Sequence, residues 1–175
     1  MHIETSFVDS IDDPNAFEDL LRAYYRVVLQ SFEAAGGPRL DPDALARGSL
    51  EHKEEYLPPR GRLLLARNAD GRLMGCGTLR RVRDDAVEMK RMFVRPEAQG
   101  QGLGQRLFQM RMDEARAMGC RKVYADTARG NRPMLSIYER HGFAYIDRYP
   151  ENANPEEFAP FLVFLEYVFP EFRDG

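Results

Sequence analysis

The sequence is poor in the residues that build metal sites and disulfides. Its 175 residues include only two cysteines, Cys76 and Cys120, and three histidines. The cysteines form no CxxC pair and the histidines form no HExxH motif, so we expect no metal site. We predict that the two isolated cysteines are reduced residues of the core rather than a disulfide.

An excess of basic residues is also missing. Lysine and arginine together number 25 and aspartate and glutamate 28, which gives a net charge of −3. A dedicated nucleic-acid binder carries a clear basic excess, so we expect no nucleic-acid partner. Only Lys53, Lys90 and Lys122 are lysines. The other cations are arginines, whose planar fork suits carboxylates and phosphates, so an anionic small molecule remains compatible with this composition.

Long hydrophobic runs are absent as well. The longest apolar stretch, at residues 161–165, has the length of a strand and not the roughly 20 residues of a membrane span. Residues 1–4 read MHIE, with neither a basic nor an apolar leader region, so no signal peptide is predicted. We therefore expect a cytoplasmic protein without membrane contact.

The remaining composition is that of an ordinary globular domain, with 43% hydrophobic and 30% charged residues. No repeat or linker divides the chain, so we predict a single domain over residues 1–175. Hydrophobic spacing and turn residues predict, in chain order, a strand at 2–8, helices at 14–35 and 42–56, strands at 63–67, 73–83 and 87–94, a helix from 103 that ends at Gly119, a strand at 123–125, a helix at 133–140, and strands at 143–146 and 161–168. This order favours an α+β or mixed-sheet α/β fold over a doubly wound one.

A glycine-rich segment, Gln99–Gly104, lies between a predicted strand and a predicted helix. Glycines allow a ligand to approach the backbone, and the first N–H groups of a helix attract anions, so a pyrophosphate suits this loop. The loop is not a Walker motif, because Gly104 is followed by Gln105 and not by lysine, and the GxGxxG spacing of a Rossmann loop also fails. A simple tight turn is the alternative.

Three stretches of the sequence share the motifs of one enzyme family. Gln99, Gly102 and Gly104 fit the pattern Q/R-x-x-G-x-G/A, and the strand Met89–Val94 fits K-R-aliphatic-aromatic-Val. Residues 131–143, which include YERHGF, are similar to a third motif. Together they resemble the GNAT superfamily of acetyl-CoA-dependent N-acetyltransferases over about residues 63–169. The resemblance implies a central, mostly antiparallel twisted sheet with a splayed pair of strands and helices on both faces.

The resemblance also implies a binding mode for acetyl-CoA as co-substrate. In this family the pantetheine arm enters between the splayed strands, and a strand N–H polarises the thioester carbonyl. The pyrophosphate lies on N–H groups of the glycine loop, and Asn131 matches the residue that bonds the pantetheine or phosphate arm. The implied cofactor-binding residues are Met92, Phe93, Val94, Gln99, Gly100, Gln101, Gly102, Leu103, Gly104, Gln105 and Asn131.

Residues around Asn131 add two further expectations. The family has a small residue where this sequence has Met134, so we expect a narrower tunnel. Arg129 and Arg132 flank Asn131, and they either reach a CoA phosphate or remain exposed to solvent.

Catalysis requires an acid for the leaving thiolate and a base for the amine. An alkyl amine with a pKa of about 10.4 is mostly protonated at pH 7 and must lose a proton. Tyr138 matches the general acid of the family, although its apolar surroundings also fit a core aromatic residue.

Glu88 is the predicted base, because it lies on the strand that would contact CoA. A period of two places Glu88, Lys90, Met92 and Val94 on one face of that strand. A cross-strand ion pair is the alternative role of Glu88, and its possible partners are Arg80, Arg81 and Arg83.

The sequence gives conflicting indications about the acceptor substrate. Arg80 and Arg83 either hold a carboxylate or belong to a solvated strand face. The segment 149–160 would favour cationic amines through its acidic residues, which are Glu151, Glu156 and Glu157. Two helical tyrosines, Tyr24 and Tyr25, either line the cleft or pack in the core.

From these residues we predict an N-acetyltransferase that moves acetyl from acetyl-CoA to a primary amine of a small molecule. We expect direct attack in a ternary complex, because Cys76 and Cys120 lie outside the motifs and offer no cysteine relay. A protein or peptide N-acetyltransferase and a non-catalytic acyl-CoA-binding sensor are the alternatives. A homodimer and the use of other acyl-CoAs are left open.

Overall fold

A seven-stranded sheet dominates the computed structural model, which describes residues 2–173. The elements, in chain order, are β1 (Ile3–Val8), α1 (Pro14–Ala34), α2 (Pro42–Glu51), β2 (Gly61–Asn68), β3 (Leu73–Arg83), β4 (Ala86–Val94), α3 (Leu103–Ala117), β5 (Lys122–Ala128), α4 (Arg132–Arg140), β6 (Ala144–Ile146) and β7 (Leu162–Val168). This mixed α+β architecture confirms the predicted fold class.

The sheet has the strand order β1-β2-β3-β4-β5-β7-β6. Neighbouring strands are antiparallel except for β4 and β5, which are parallel. The parallel pair needs a crossover, and the chain supplies it with the glycine-rich segment and α3. The predicted mostly antiparallel sheet is therefore observed.

Helices cover both faces of the sheet. On one face, Phe108 and Met112 of α3 pack against Val87 and Met89 of β4. On the other face, α1 contributes a second cluster that includes Phe17, Leu20 and Leu21. The strands are therefore buried between helical layers, as in other mixed α/β domains.

Several boundaries differ from those predicted. The helix predicted over 42–56 ends at Glu51, and a separate 3-10 helix follows at Lys53–Tyr56. β5 extends over Lys122–Ala128 because all seven of its residues pair with β7, whereas local hydrophobicity indicated only residues 123–125. The segment Glu156–Phe161, predicted as loop, forms a 3-10 helix that packs against α1, with the Phe32 and Phe158 rings 5.1 Å apart. Between residues 2 and 173 no helix is long and apolar enough to cross a membrane.

Candidate active site

The strands β4 and β5 separate part of the way along their length. Their parallel pairing ends at Met89 and Ala125. Beyond that point β4 continues beside β3 up to Val94, while β5 continues beside β7 up to Ala128. A wedge therefore opens between the two strands, which is the splayed pair that the fold prediction required.

A bulge in β4 lies at the narrow end of this wedge. The pairing of β3 with β4 shifts register, so that Lys90 is opposite Thr78 but Phe93 is opposite Cys76. Arg91 occupies the bulge with a φ of 51°, which is a left-handed conformation uncommon for residues other than glycine. The extra residue reverses the alternation of side chains beyond it.

The reversed alternation corrects the predicted strand face. Lys90 lines a cavity beside α1, and the Phe93 ring lies 6.3 Å from Tyr24 of α1. Met92 and Val94 instead pack with the α3 side of the sheet. The prediction that Glu88, Lys90, Met92 and Val94 share a face therefore fails beyond Lys90, because regular period-two counting does not include a bulge.

The backbone of β4 after the bulge is arranged as a binding edge. Arg95 donates its N–H to the carbonyl of Met74 on β3, at 2.8 Å. By alternation the backbone of Phe93 also faces β3, whereas the N–H groups of Met92 and Val94 face the wedge. Met92 and Val94 therefore direct backbone N–H groups into the wedge, whereas the backbone of Phe93 is directed towards β3.

The glycine-rich loop leads from this strand into α3. Gly100 and Gly102 have φ values of 76° and 75°, and Gly102 is the N-cap of α3 without a side-chain cap. By contrast, α1 is capped by the Asp13 carboxylate, which accepts from the N–H of Ala16 at 2.9 Å. The first turn of α3 therefore keeps its N–H groups for another acceptor, as anion-binding helices do.

Other side chains of the loop have structural partners. The Gln99 amide donates to the carbonyl of Val94 at 2.9 Å, and the Gln105 amide contacts the His141 ring at 2.9 Å. Leu103 is buried in the core, so only its backbone is available to a ligand. An added Cβ at Gly104 would lie 3.5 Å from the methyl group of Met92. Gln101 completes the loop.

Asn131 lies at the opposite side of the wedge, at the N-cap of α4. Its amide donates to the Thr127 hydroxyl at 2.9 Å, and both residues line the cavity together with Met134. The neighbouring arginines are engaged elsewhere, because Arg129 donates to the Pro160 carbonyl and Arg132 forms an ion pair with Glu139.

Tyr138 of α4 combines both roles considered for it. Its ring packs against Phe108 and Phe143 in the core, with centroids 6.0 and 5.1 Å away. The residue also lines the cavity. Burial raises the pKa of Tyr138 to about 12, against the opposing charge of Arg111. The phenol therefore keeps its proton at neutral pH.

Glu88 is buried and does not line the cavity. Its side chain is 0% exposed, and it accepts hydrogen bonds from Tyr149 at 2.5 Å, from Arg80 at 3.2 Å and from Asn152 at 3.4 Å. The cross-strand ion pair is therefore present, and its partner is Arg80. A carboxylate that does not line the cavity is not placed for direct proton abstraction from an acceptor, in contrast to the predicted role.

Asp126 is a carboxylate that does line the cavity, and the sequence reasoning missed it. Its side chain is 13% exposed and accepts from the Asn152 amide at 2.8 Å and the Asn154 amide at 3.0 Å. The Lys90 ammonium lies 4.0 Å away. The signal available in the sequence was an acidic residue directly after the apolar residues of the strand at 123–125.

The arginines predicted to hold a carboxylate are already paired. Besides its contact with Glu88, Arg80 donates to the carbonyl of Glu151 at 2.6 Å. Arg83 pairs with the Glu151 carboxylate at 3.3 Å and donates to the Tyr124 hydroxyl. The acidic segment around Glu151 is therefore part of an ion-pair network. It does not form the predicted acidic mouth, and Glu156 and Glu157 do not line the cavity either.

Arg111 of α3 is a second functional candidate that the sequence reasoning missed. It is 1% exposed, and its guanidinium donates to the carbonyls of Leu107, Thr78 and Lys90 at 3.2, 3.4 and 3.3 Å. Its Nη2 has no partner among residues 2–173, and the side chain lines the cavity. Burial lowers the pKa of Arg111.

These residues surround one cavity of about 720 Å³. Tyr138, Asn131 and Met92 line it at the wedge, and Tyr24 and Tyr25 of α1 line it on the other face of the sheet. Tyr24 and Tyr25 therefore line the cleft, which is one of the two roles predicted for them. A volume of this size is typical of sites for small molecules.

Comparisons with known proteins agree with this geometry. The chain matches the model of the acetyltransferase (GNAT) family over residues 16–143. It is similar to an IAA acetyltransferase of Azospirillum brasilense, with 38% identity over 93 residues, which are 53% of this chain and 59% of that one. It is also similar to an uncharacterized N-acetyltransferase of Schizosaccharomyces pombe, with 31% identity over 102 residues, which are 58% and 63% of the two chains. The chain thus spans less than two thirds of the length of these curated relatives.

Solved structures show the same fold. A GNAT acetyltransferase of Staphylococcus aureus Mu50 has a TM-score of 0.71 at 17% identity, over 94% of this chain and 99% of that one. The PaiA N-acetyltransferase of Thermoplasma acidophilum, solved with coenzyme A, has a TM-score of 0.70 at 18% identity, over 97% and 100%. These structures confirm the predicted fold, and the family model confirms the resemblance. The chain belongs to the acetyltransferase (GNAT) family.

Proposed function

We propose that this protein transfers an acetyl group from acetyl-CoA to a primary amine of a small molecule, by direct attack within a ternary complex. The observation that carries the proposal is the single cavity of about 720 Å³ that joins the wedge to the α1 side of the sheet. A thioester in the wedge and an amine beside α1 would meet in this cavity without a covalent enzyme intermediate. Its volume favours a small molecule over a folded protein as acceptor.

The wedge has the groups that a pantetheine arm needs. The N–H groups of Met92 and Val94 face it, and Asn131 lines its other side. We assign the pyrophosphate to the uncapped first turn of α3 after Gly102. Acetyl-CoA supplies an activated thioester, and these backbone groups hold and orient it.

Two donors would stabilise the negative charge that develops on the thioester oxygen. The Met92 N–H is one of them, because it faces the wedge next to the bulge. The Arg111 guanidinium is the other, because its unpartnered Nη2 belongs to a side chain that lines the same cavity. A fixed donor in a site shielded from water stabilises such charge strongly.

Proton transfer would involve one residue on each side of the wedge. Tyr138 has a raised pKa and donates a hydrogen bond to the sulfur as the thiolate leaves. We assign the proton of the attacking amine to Asp126, directly or through water, because Asp126 lines the cavity and Glu88 does not. Glu88 then orients Asn152, whose amide reaches both carboxylates.

Thiol release from acetyl-CoA tests the proposal with a panel of small amines, amino acids and peptides. We expect release with small amines. Release with peptides alone would contradict the substrate class, and tight CoA binding without release for any acceptor would indicate a sensor.

A pair of tyrosine variants tests the acid. Tyr138→Phe should lower kcat by about 100-fold or more, as is typical of a lost general acid. The matched control is Tyr145→Phe, because Tyr145 lies on β6, is 52% exposed and does not line the cavity. Equal activity of the two variants would remove Tyr138 from the mechanism.

A pair of carboxylate variants tests the base. Asp126→Asn should lower kcat by about 100-fold or more, whereas Glu88→Gln should lower kcat much less. The reverse result would restore Glu88 as the base and reject Asp126.

A further inference from the structure

The wall of the cavity carries more positive than negative charge. Four of its residues are cationic, namely Arg80, Lys90, Arg91 and Arg111. Only two are acidic, namely Glu55 and Asp126. Arg111 is buried and the other three are partly buried, and a cation removed from water is stabilised when an anion or several acceptors compensate it.

Three of these cations are compensated within the protein. Arg80 pairs with Glu88 at 3.2 Å. Lys90 lies between two carboxylates, 3.7 Å from Glu88 and 4.0 Å from Asp126. Arg111 has no carboxylate partner within the described residues, but it donates to the Leu107 carbonyl of α3 and to the Thr78 and Lys90 carbonyls beside the bulge.

Arg91 is the cation that lacks such compensation. Its Nε donates to the Ser49 hydroxyl at 3.3 Å, and its guanidinium lies 4.8 Å from the centre of the Tyr56 ring. Tyr25 donates to or accepts from the same Ser49 hydroxyl at 2.6 Å. No carboxylate of residues 2–173 lies within 4.0 Å of this guanidinium. Its partners are therefore neutral, in a position where a left-handed backbone holds the side chain.

The thioester co-substrate does not supply the missing anion. The acetyl, thioester and pantetheine groups of acetyl-CoA are uncharged. Its phosphates belong at the first turn of α3, after Gly102, on the side of the sheet opposite α1. An anion that reaches Arg91 on the α1 side must therefore come from the acceptor.

Arg91, Asp126 and Tyr24 all line this cavity. One small molecule could therefore place an anion against Arg91 and an amine against Asp126.

Part of the cavity wall is apolar. Its large side chains between α1, the loop to α2 and the 3-10 segment are Leu29, Phe32, Leu40, Leu45 and Phe158. A bulky hydrocarbon or aromatic group is the chemistry that such a wall accommodates.

We propose that the acceptor is an amine that also carries a carboxylate, which the Arg91 guanidinium binds, and that its apolar body lies against the wall between α1 and α2. This deepens the proposed function and rests on it. Charge-assisted contacts of a guanidinium with a carboxylate are strong and directional, so Arg91 fixes which end of the acceptor faces the thioester. Arg80 and Arg83, which the sequence suggested for this role, have partners of their own.

The test uses matched pairs of substrates that differ by one carboxylate. Phenylalanine is compared with phenethylamine, tyrosine with tyramine, and leucine with 3-methylbutylamine. For the wild-type protein we expect kcat/KM to be at least tenfold higher for the carboxylated member of the pairs. Equal or better use of the decarboxylated amines would overturn the inference but leave the proposed function intact. If no amine of any kind is acetylated, the proposed function itself fails.

Variants then assign the preference to Arg91. Arg91→Met should reduce the preference within each pair by about 10- to 100-fold, because one charged hydrogen-bonding partner is lost. Arg26→Met is the control, since Arg26 is an exposed arginine of α1 that does not line the cavity, and it should keep the wild-type ratio. A ratio that Arg91→Met leaves unchanged would overturn the assignment.

A second variant covers the case in which Arg91→Met does not fold. Arg91→Lys keeps the positive charge but not the planar fork, so it should retain part of the preference. Thermal melts with and without CoA verify the fold of each variant. In the wild-type protein, 3-phenylpropionate should compete with the carboxylated acceptor, and a failure to compete would also count against the inference.

Discussion

We predict that the buried guanidinium of Arg111 lowers the free energy of unfolding of the protein and at the same time contributes to its activity. It is one of the largest fully buried side chains, and it has no acidic partner within the described part of the chain. Arg111→Met keeps a long side chain of similar reach and removes the charge and its donors. We expect this variant to be more stable than the wild type and much less active.

The magnitude follows from the contacts of the guanidinium. Its hydrogen bonds are long, at 3.2 to 3.4 Å, and each contributes about 0.5–1.5 kcal/mol at most. Burying the charge costs several kcal/mol. The Lys90 carbonyl also keeps a donor in the variant, the Thr78 hydroxyl at 3.1 Å. We therefore expect a gain of about 1–2 kcal/mol, or roughly 2–8 °C in Tm for a chain of this length.

Urea denaturation and steady-state kinetics measure the two effects separately. The free energy of unfolding should rise, while kcat/KM should fall at least tenfold through lost stabilisation of the thioester oxygen. A loss of more than 2 kcal/mol in stability would refute the reasoning about burial. Unchanged kinetics in a folded variant would refute the proposed contribution of Arg111 to the reaction.

Three further predictions concern the same core and loop. An added Cβ at Gly77 would lie 2.6 Å from the Nε of Arg111, so Gly77→Ala should lower the free energy of unfolding by about 1–3 kcal/mol. The same substitution should cost much less in an Arg111→Ala background. A double-mutant cycle in which the two effects simply add would refute this contact. Gly102→Ala meets no neighbour but needs a φ of 75°, so it should cost about 1–2 kcal/mol and raise the KM for acetyl-CoA, as denaturation and kinetics can show. The pKa of Tyr138 is raised from 10.0 to about 12, so its contribution to the free energy of unfolding is complete below pH 10 and is lost, by roughly 3 kcal/mol, as the pH rises to 12. Tyr138→Phe should flatten this part of the plot of unfolding free energy against pH. An unaltered plot would contradict the raised pKa.

The glycine loop and the helices could be predicted because their signals are local. Gly100 and Gly102 adopt left-handed conformations that favour glycine, and proline after aspartate marks the start of α1. The order of strands and helices follows from hydrophobic periodicity, which depends only on neighbours along the chain. These features were sufficient to indicate the family, and with it the splayed strands.

The position of Glu88 could not be predicted, because its surroundings come from distant parts of the chain. Tyr149 and Asn152 lie more than 60 residues further on, and they cover the carboxylate from the loop after β6. Alternation along β4 indicates the face on which Glu88 lies. It cannot indicate what lies above that face.

The role of Arg111 could not be predicted from the sequence for a related reason. It lies within the broad apolar face of α3, where an arginine is normally expected to reach solvent. The space that it occupies exists because Gly77 has no side chain and because the bulge leaves the Lys90 carbonyl available as an acceptor. Both conditions belong to the pairing of β3 with β4 and are not visible in the helix.

One extra residue in β4 therefore connects the parts of the site. The bulge at Arg91 lies where β4 separates from β5. It reverses the alternation of side chains, so that Met92 packs towards α3 and Phe93 packs towards α1. It provides a carbonyl acceptor for Arg111 below the sheet and holds the Arg91 side chain against Ser49 above it. A left-handed arginine costs about 1 kcal/mol or more in backbone energy, which the surrounding contacts must offset. Removing the bulge by deleting one residue should accordingly impair thioester binding and acceptor choice together, because both depend on this reversal.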